Sequence, residues 1–169
     1  MRSARTGSVQ IHIDAPVEAV WGLLSHLERM GEWSPECYRV EWQDGAKSPA
    51  VAGARFRGWN RYRLLKWSMP CRVKTAVPNQ ELSFSTIASD REQTTWTYRL
   101  VAAGDGTDLI ESFDVRWLRF DALVAEDFLM RDRDRRREQA MRRTLGRIKK
   151  VVEASPEVGE SRAALKATS

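Results

Sequence analysis

The sequence predicts an α+β domain: a curved antiparallel sheet of about seven strands with two short N-terminal helices, wrapped around one long C-terminal helix. Three observations carry this. Arg133 to Ala154 is the one long run with clean helical periodicity, with Met141, Leu145, Ile148 and Val152 at spacings of four, three and four. The segments before it alternate apolar and polar residues with period two, as half-buried strands do. The later segments are joined by turn-length connections, which suit antiparallel neighbours and are too short for parallel ones. Such a sheet has one apolar face, and the long helix, roughly 30 Å for about 20 residues, is available to cover it.

Taken in order, Ser8 to Asp14 places Val9, Ile11 and Ile13 on one face and His12 on the other. Asp14-Ala15-Pro16 is a helix start, because the first turn leaves unbonded the N–H that proline lacks. Val17 to Met30 carries a helical stripe of Val20, Trp21, Leu24 and Leu27 that breaks at Gly31. Glu32 to Glu36, EWSPE, reads as a turn that sets Trp33 against the core. Tyr38 to Gln43 is a short strand, ended by Asp44-Gly45 and a nine-residue loop rich in Ala, Ser and Pro.

Ala54 to Leu65 alternates with Phe56, Gly58, Asn60 and Tyr62 on one face and Arg55, Arg57, Trp59 and Arg61 toward solvent. Trp67 to Ala76 sets Trp67, Met69, Cys71 and Val73 together. Pro78-Asn79 turns the chain, and Leu82, Phe84 and Thr86 share the next inner face. A polar turn at Ser89 to Gln93 precedes Thr94 to Ala102, which aligns Thr94, Trp96, Tyr98 and Leu100. Gly104-Asp105-Gly106 signals a hairpin, and Leu109, Glu111, Phe113 and Val115 line up beyond it. Trp117, Phe120, Val124 and Phe128 have helical spacing, so Trp117–Met130 reads as a lid over a pocket mouth, a packed helical turn or an oligomer contact. The domain is expected over residues 1–154, with a disordered tail at 155–169.

The net charge of +5 is unevenly spread. Ten Arg or Lys and three acids lie between Arg131 and Lys150, a local +7 that leaves −2 elsewhere. Arg136, Arg143, Arg147 and Lys150 form a stripe opposite Met141, while Arg137 falls nearer the inner face, within reach of Glu111 or an anionic ligand head. The stripe's default role is solvation; an acidic partner, an anionic membrane surface or RNA is the alternative. No run approaches the length of a transmembrane helix, and the N-terminus lacks the apolar region of a signal peptide. Cys37 and Cys71 have no metal-ligand spacing and read as free thiols of a cytoplasmic protein. No metal site, phosphate loop or dinucleotide fingerprint is present, so no cofactor is expected. A homodimer is compatible with the sequence but not indicated by it.

Several stretches resemble the START-like, helix-grip superfamily (SRPBCC), in its polyketide cyclase/dehydrase and lipid-transport branch. They are IDAPVEAVW within Ile11–Trp21, EWSP (Glu32–Pro35), GARFRGWN (Gly53–Asn60), TTWTYRL (Thr94–Leu100), GDGTDLIESF (Gly104–Phe113) and MRRTLGRIKKVVE (Met141–Glu153). Their order and spacing, over Val9 to Ala154, carry the resemblance. It implies a hydrophobic pocket between sheet and long helix that holds lipids, polyketides or other apolar ligands, in members that bind and in a minority that catalyse.

Inward polar groups are the informative ones, because burying them unpaired costs about 1–3 kcal/mol. Glu111 falls among Leu109, Phe113 and Val115, and Asn60 between Phe56 and Tyr62. Glu111 is either a general acid/base or ligand anchor, or a structural carboxylate paired with an arginine or leaning out at the strand end. The expected pocket lining is Trp33, Phe56, Asn60, Tyr62, Cys71, Phe84, Trp96, Tyr98, Glu111, Phe113, Met141 and Leu145. Three functions compete: a carrier or sensor of a small hydrophobic ligand; a cyclase or dehydratase with Glu111 as base and Asn60 or Tyr62 polarising a carbonyl; and an interaction protein acting through the basic helix face.

Overall fold

Seven strands form one antiparallel sheet in the order β1-β7-β6-β5-β4-β3-β2. They are β1 (Thr6–Ile13), β2 (Cys37–Trp42), β3 (Arg55–Tyr62), β4 (Leu65–Val77), β5 (Glu81–Ala88), β6 (Arg91–Ala103) and β7 (Gly106–Val115). Between β1 and β2 lie α1 (Val17–Leu24) and a 3-10 helix (Leu27–Glu32), and after β7 comes α2 (Arg133–Glu153). The computed structural model describes residues 6–116 and 133–155. The expected lid at Trp117–Met130, the tail beyond Ser155 and the Arg136 side chain lie outside the described residues.

From β2 to β7 the sheet is a meander of consecutive hairpins, and β1 returns to pair with β7. Turn chemistry explains the tightness of the connections. Ser89 and Asp90 both take positive φ, 48° and 58°, the backbone of a two-residue turn whose twist matches its strands. The expected polar turn at Ser89–Gln93 is therefore shorter than its composition implies, and Arg91 to Gln93 already belong to β6. Register shifts at Cys37/Arg39, Val73/Thr75 and Ser85/Ile87 mark irregularities that bend strands and curve the sheet.

The helical stripe of Val17–Met30 is divided. The Ser25 N–H still bonds the Trp21 carbonyl at 2.9 Å, but the Ser25 carbonyl accepts from Ala50 N of the long loop at 2.8 Å. His26 Nδ1 meets the Gly22 carbonyl at 2.7 Å. The backbone bends there and restarts as the 3-10 helix, which leads Trp33 into the core at 1% exposure.

Helix α2 fulfils its periodicity: Met141, Leu145, Ile148 and Val152 are each 2% exposed or less. It runs along β1 and reaches β7, α1 and the 3-10 helix. Its C-terminal end is fastened to the end of β1. Lys149 Nζ donates to the His12 carbonyl at 2.8 Å and pairs with Glu153 at 2.9 Å, and Glu153 Oε1 accepts from Asp14 N at 2.8 Å. Nearer the middle, Arg147 Nη1 donates to the Ser34 carbonyl at 3.2 Å.

The outer face differs in part from the expected solvated surface. Ser83 and Ser85 of central β5 are buried among neighbouring side chains; Ser83 Oγ donates to Thr75 Oγ1 at 2.9 Å and Ser85 Oγ bonds Thr95 Oγ1 at 2.8 Å. Trp59 and Arg57 of β3 are half-buried rather than solvent-facing, with the Arg39 guanidinium 5.7 Å over the Trp59 ring and Arg57 Nη1 3.0 Å from Ser68 Oγ. Trp67, grouped by alternation with Met69, Cys71 and Val73, lies near a hairpin end and is exposed. Among the described residues no helix is long and apolar enough to cross a membrane.

Truncating the inner stripe of α2 tests this packing. Leu145→Ala is expected to cost about 2–5 kcal/mol of stability in urea unfolding, whereas Arg143→Ala on the outer face stays within about 0.5 kcal/mol.

Candidate functional site

The β6–β7 hairpin builds the site. Its turn at Gly104 (φ 63°) and Asp105 pairs Ala103 with Gly106. From that register follow the pairs Leu100 with Leu109, Tyr98 with Glu111, and Trp96 with Phe113. Alternation turns all six inward, and β1 continues the row by setting Val9 opposite Glu111. Glu111 thus stands between Val9 and Tyr98 across the sheet, and between Leu109 and Phe113 along its own strand.

Tyr98 Oη donates to Glu111 Oε1 at 3.0 Å. Glu111 Oε2 is buried and has no hydrogen-bond partner among the described residues. Burial pushes the Glu111 carboxyl up to about 8, with the Tyr98 hydrogen bond pulling weakly the other way. Burial first, then the neighbouring Glu111 charge and hydrogen bond, drives the Tyr98 phenol well above its ordinary range. Near neutral pH the pair is a carboxylic acid beside a phenol, both uncharged. Arg137 of α2 does approach this face: its guanidinium lies 5.0 Å from the centre of the Phe113 ring, a cation–π contact.

The aromatic candidates form two groups on the same face. Phe56 meets Phe84 edge-on at 5.4 Å and Trp42 at 5.8 Å, and Trp96 meets Phe113 at 5.7 Å. Phe84 and Trp96 are register partners, which links the groups. Cys71 is buried beside Phe56 with its thiol pushed up to about 12 by burial, so it is a small apolar filler without thiolate reactivity. Trp33 is buried with its indole N–H unpartnered among the described residues. Met141 and Leu145 present the buried side of α2.

Asn60 and Tyr62 do not join Glu111. Both are half-buried on β3, which stands four strands from β7 in the sheet order, on the order of 19 Å of sheet width. Asn60 Nδ2 makes a long contact of 3.5 Å to the Gly58 carbonyl, and the Arg63 guanidinium lies 5.6 Å over the Tyr62 ring. Among the described residues the partner of Glu111 is neither an arginine nor either of these residues but Tyr98. The signal was available: counting back along two strands from a two-residue turn at Gly104-Asp105 pairs Tyr98 with Glu111.

His12 is exposed beside Asp108, with Nδ1 to Oδ1 at 2.8 Å, and His26 serves the helix break described above. Among the described residues no group of three His, Cys, Asp or Glu could hold a metal ion. On the outer side of α2, Arg143, Arg147 and Lys150 are exposed.

Comparison with known proteins places this architecture. A Polyketide_cyc-like protein of Corynebacterium glutamicum, solved in solution, is 28% identical with a TM-score of 0.52, over 90% of this chain and 88% of that one. The crystal structure of a Mesorhizobium loti protein has a TM-score of 0.64 at 18% identity, over 89% of this chain and 98% of that one, a likeness of fold alone. DynU16, a protein of the dynemicin biosynthetic locus, has a TM-score of 0.60 at 16% identity, with 90% of this chain matched to 48% of that one. No curated protein matches the sequence. The profile of the family described as polyketide cyclase/dehydrase and lipid transport matches residues 5–153, and the chain belongs to that family, on the helix-grip fold.

Proposed function

We propose that the protein binds a small hydrophobic molecule between the inner face of the sheet and α2, as a carrier or sensor, with Glu111 and Tyr98 as its polar anchor. The observation that carries this reading is Glu111 Oε2, buried among apolar neighbours and without a hydrogen-bond partner among the described residues. An unsatisfied group of this kind costs about 1–3 kcal/mol, a cost that a ligand's polar atom would offset. With Oε1 accepting from Tyr98, a neutral carboxylic acid has its own O–H left to donate at Oε2. The chemistry it fits is a carbonyl, ether or hydroxyl oxygen on an otherwise apolar body, with Phe84, Trp96, Phe113, Met141 and Leu145 around it. Apolar pockets with few polar anchors are the usual form of such sites, and the family's description includes lipid transport.

A second reading rests on the same pair. A carboxyl whose proton is lost at about 8 is matched to proton transfer near neutral pH, and the family includes cyclases and dehydrases. In that reading Glu111 is the general acid or base and Tyr98, not Asn60 or Tyr62, is the hydroxyl within reach of the reacting group. The two readings separate on Glu111→Gln. A binding protein keeps its ligand, because the amide still accepts from Tyr98 and still donates. An enzyme loses turnover, because an amide transfers no proton.

Native mass spectrometry of protein purified from its own host is expected to show an apolar molecule retained by the wild type. Glu111→Leu should weaken that retention by at least about tenfold; a wild type carrying protein mass alone would count against binding. The raised carboxyl also gives stability a sign in pH. Folded Glu111 holds its proton to about 8 against an ordinary 4.5, so its contribution is complete below about 4.5 and is lost as pH rises through 8. Urea unfolding is therefore expected to show wild type losing a few kcal/mol relative to Glu111→Gln between about pH 5 and 9.

A further inference from the structure

The β3–β4 hairpin is a second positive region, separate from α2. Between Gly45 and Gln80 the chain has eight Lys or Arg and no Asp or Glu. Seven of these cations, Arg55, Arg57, Arg61, Arg63, Lys66, Arg72 and Lys74, are on the two strands or at their turn. At the tip, β3 ends with Tyr62, Arg63 and Leu64 make the turn, and β4 starts at Leu65. Leu64 is 99% exposed and Leu65 59%. The register pairs Tyr62 with Leu65, Arg61 with Lys66 and Asn60 with Trp67. By alternation, Leu65, Tyr62 and the exposed Trp67 continue the inner apolar face out to the tip, while Arg61 and Lys66 take the opposite side. Arg61 lies over the Tyr38 ring at 5.6 Å, and among the described residues no carboxylate pairs with Arg61, Arg63 or Lys66.

We propose that this hairpin tip docks the protein on an anionic lipid bilayer. Leu64 and Leu65 enter the boundary between headgroups and acyl chains, Trp67 and Tyr62 sit at the interfacial level that suits amphipathic rings, and Arg61, Arg63 and Lys66 meet lipid phosphates. Each half of the pattern selects against another partner. The apex itself is aliphatic, and the rings of Tyr38 and Tyr62 already lie under arginines, which leaves Trp67 as a single exposed ring where a run of bases needs several to stack on. A convex tip of two leucines offers little of the about 1,200–2,000 Å² that a stable protein interface buries. A bilayer accepts a narrow wedge and supplies negative charge around it. Because the inner sheet face runs without interruption from Phe56 to Leu65, docking here would bring the inner-face end of β3 and β4 to the membrane surface.

Sedimentation with sucrose-loaded vesicles tests the assignment, at about 0.1 M salt. Wild type is expected to sediment with phosphatidylcholine vesicles containing about 30% phosphatidylglycerol and not with phosphatidylcholine alone. Leu64→Ser/Leu65→Ser and Arg61→Glu/Arg63→Glu/Lys66→Glu should each lose at least about tenfold in partitioning, with Arg143→Glu/Lys150→Glu on α2 binding as wild type. Leu64→Ser alone, at a position with no packing to lose, should move in the same direction with an unchanged unfolding midpoint. Failure of wild type to sediment with the anionic vesicles overturns the proposal. So does full binding by the leucine variant, loss confined to the α2 variant, or capture of a single-stranded oligonucleotide that survives both leucine substitutions.

Discussion

The period-two alternation of β6 and β7, locked in register by the turn at Gly104-Asp105, is the constraint on which the site rests. A slip of one residue would send Glu111, Phe113 and Leu109 to the outer face and bring Ile110, Ser112 and Asp114 inward. The fold resists this at several points. Thr107 Oγ1 donates to the Ala15 carbonyl at 2.7 Å. A Cβ at Gly106 would stand 2.6 Å from the Ile13 carbonyl oxygen, so the start of β7 is pressed against the junction of β1 and α1. The same junction receives the C-terminal end of α2 through Lys149 and Glu153. Strand register, helix docking and the position of the buried acid are thus set at one corner of the molecule.

That corner explains how a single helix serves a seven-stranded sheet. Helix α2 is anchored at one end, along β1, and its buried stripe is continuous from Met141 to Val152. Farther across the sheet, toward β3 and β4, the inner face carries large aromatic side chains in edge contact. Apolar surface is buried throughout, and the one buried carboxyl among the described residues lies in the row of Val9, Glu111, Tyr98 and Leu82. A hydrogen-bonded pair of neutral groups is the form in which a carboxyl can persist there.

Local periodicity made most of the fold legible. Alternation marks the inner face of β7, and a four-three-four spacing marks the inner stripe of α2, because each depends only on residues a few positions apart. What alternation does not report is depth along a strand. Asn60, Tyr62 and Trp67 have the inward phase, yet they sit near a hairpin end where the inward side runs out toward solvent. Nor does it report distance across the sheet, which separates Asn60 from Glu111 by four strands. The charge ledger misled for a related reason: assigning the excess to α2 left −2 for everything else, and that remainder conceals a hairpin with no acidic residue between cancelling acids elsewhere.

The sheet order has one more consequence, for what the molecule avoids. A seven-stranded open sheet has two edges, and an unpaired edge is a template for strands of other chains. Here β1 lies along α2, with the His12 carbonyl already taken by Lys149. At the opposite edge β2 lies against the 3-10 helix and carries the Arg39–Glu41 ion pair on its exposed side. Each border thus carries a device that discourages strand addition, a lysine on a β1 carbonyl and charged side chains with a helix beside β2, which suits a chain that exposes leucines at a hairpin tip.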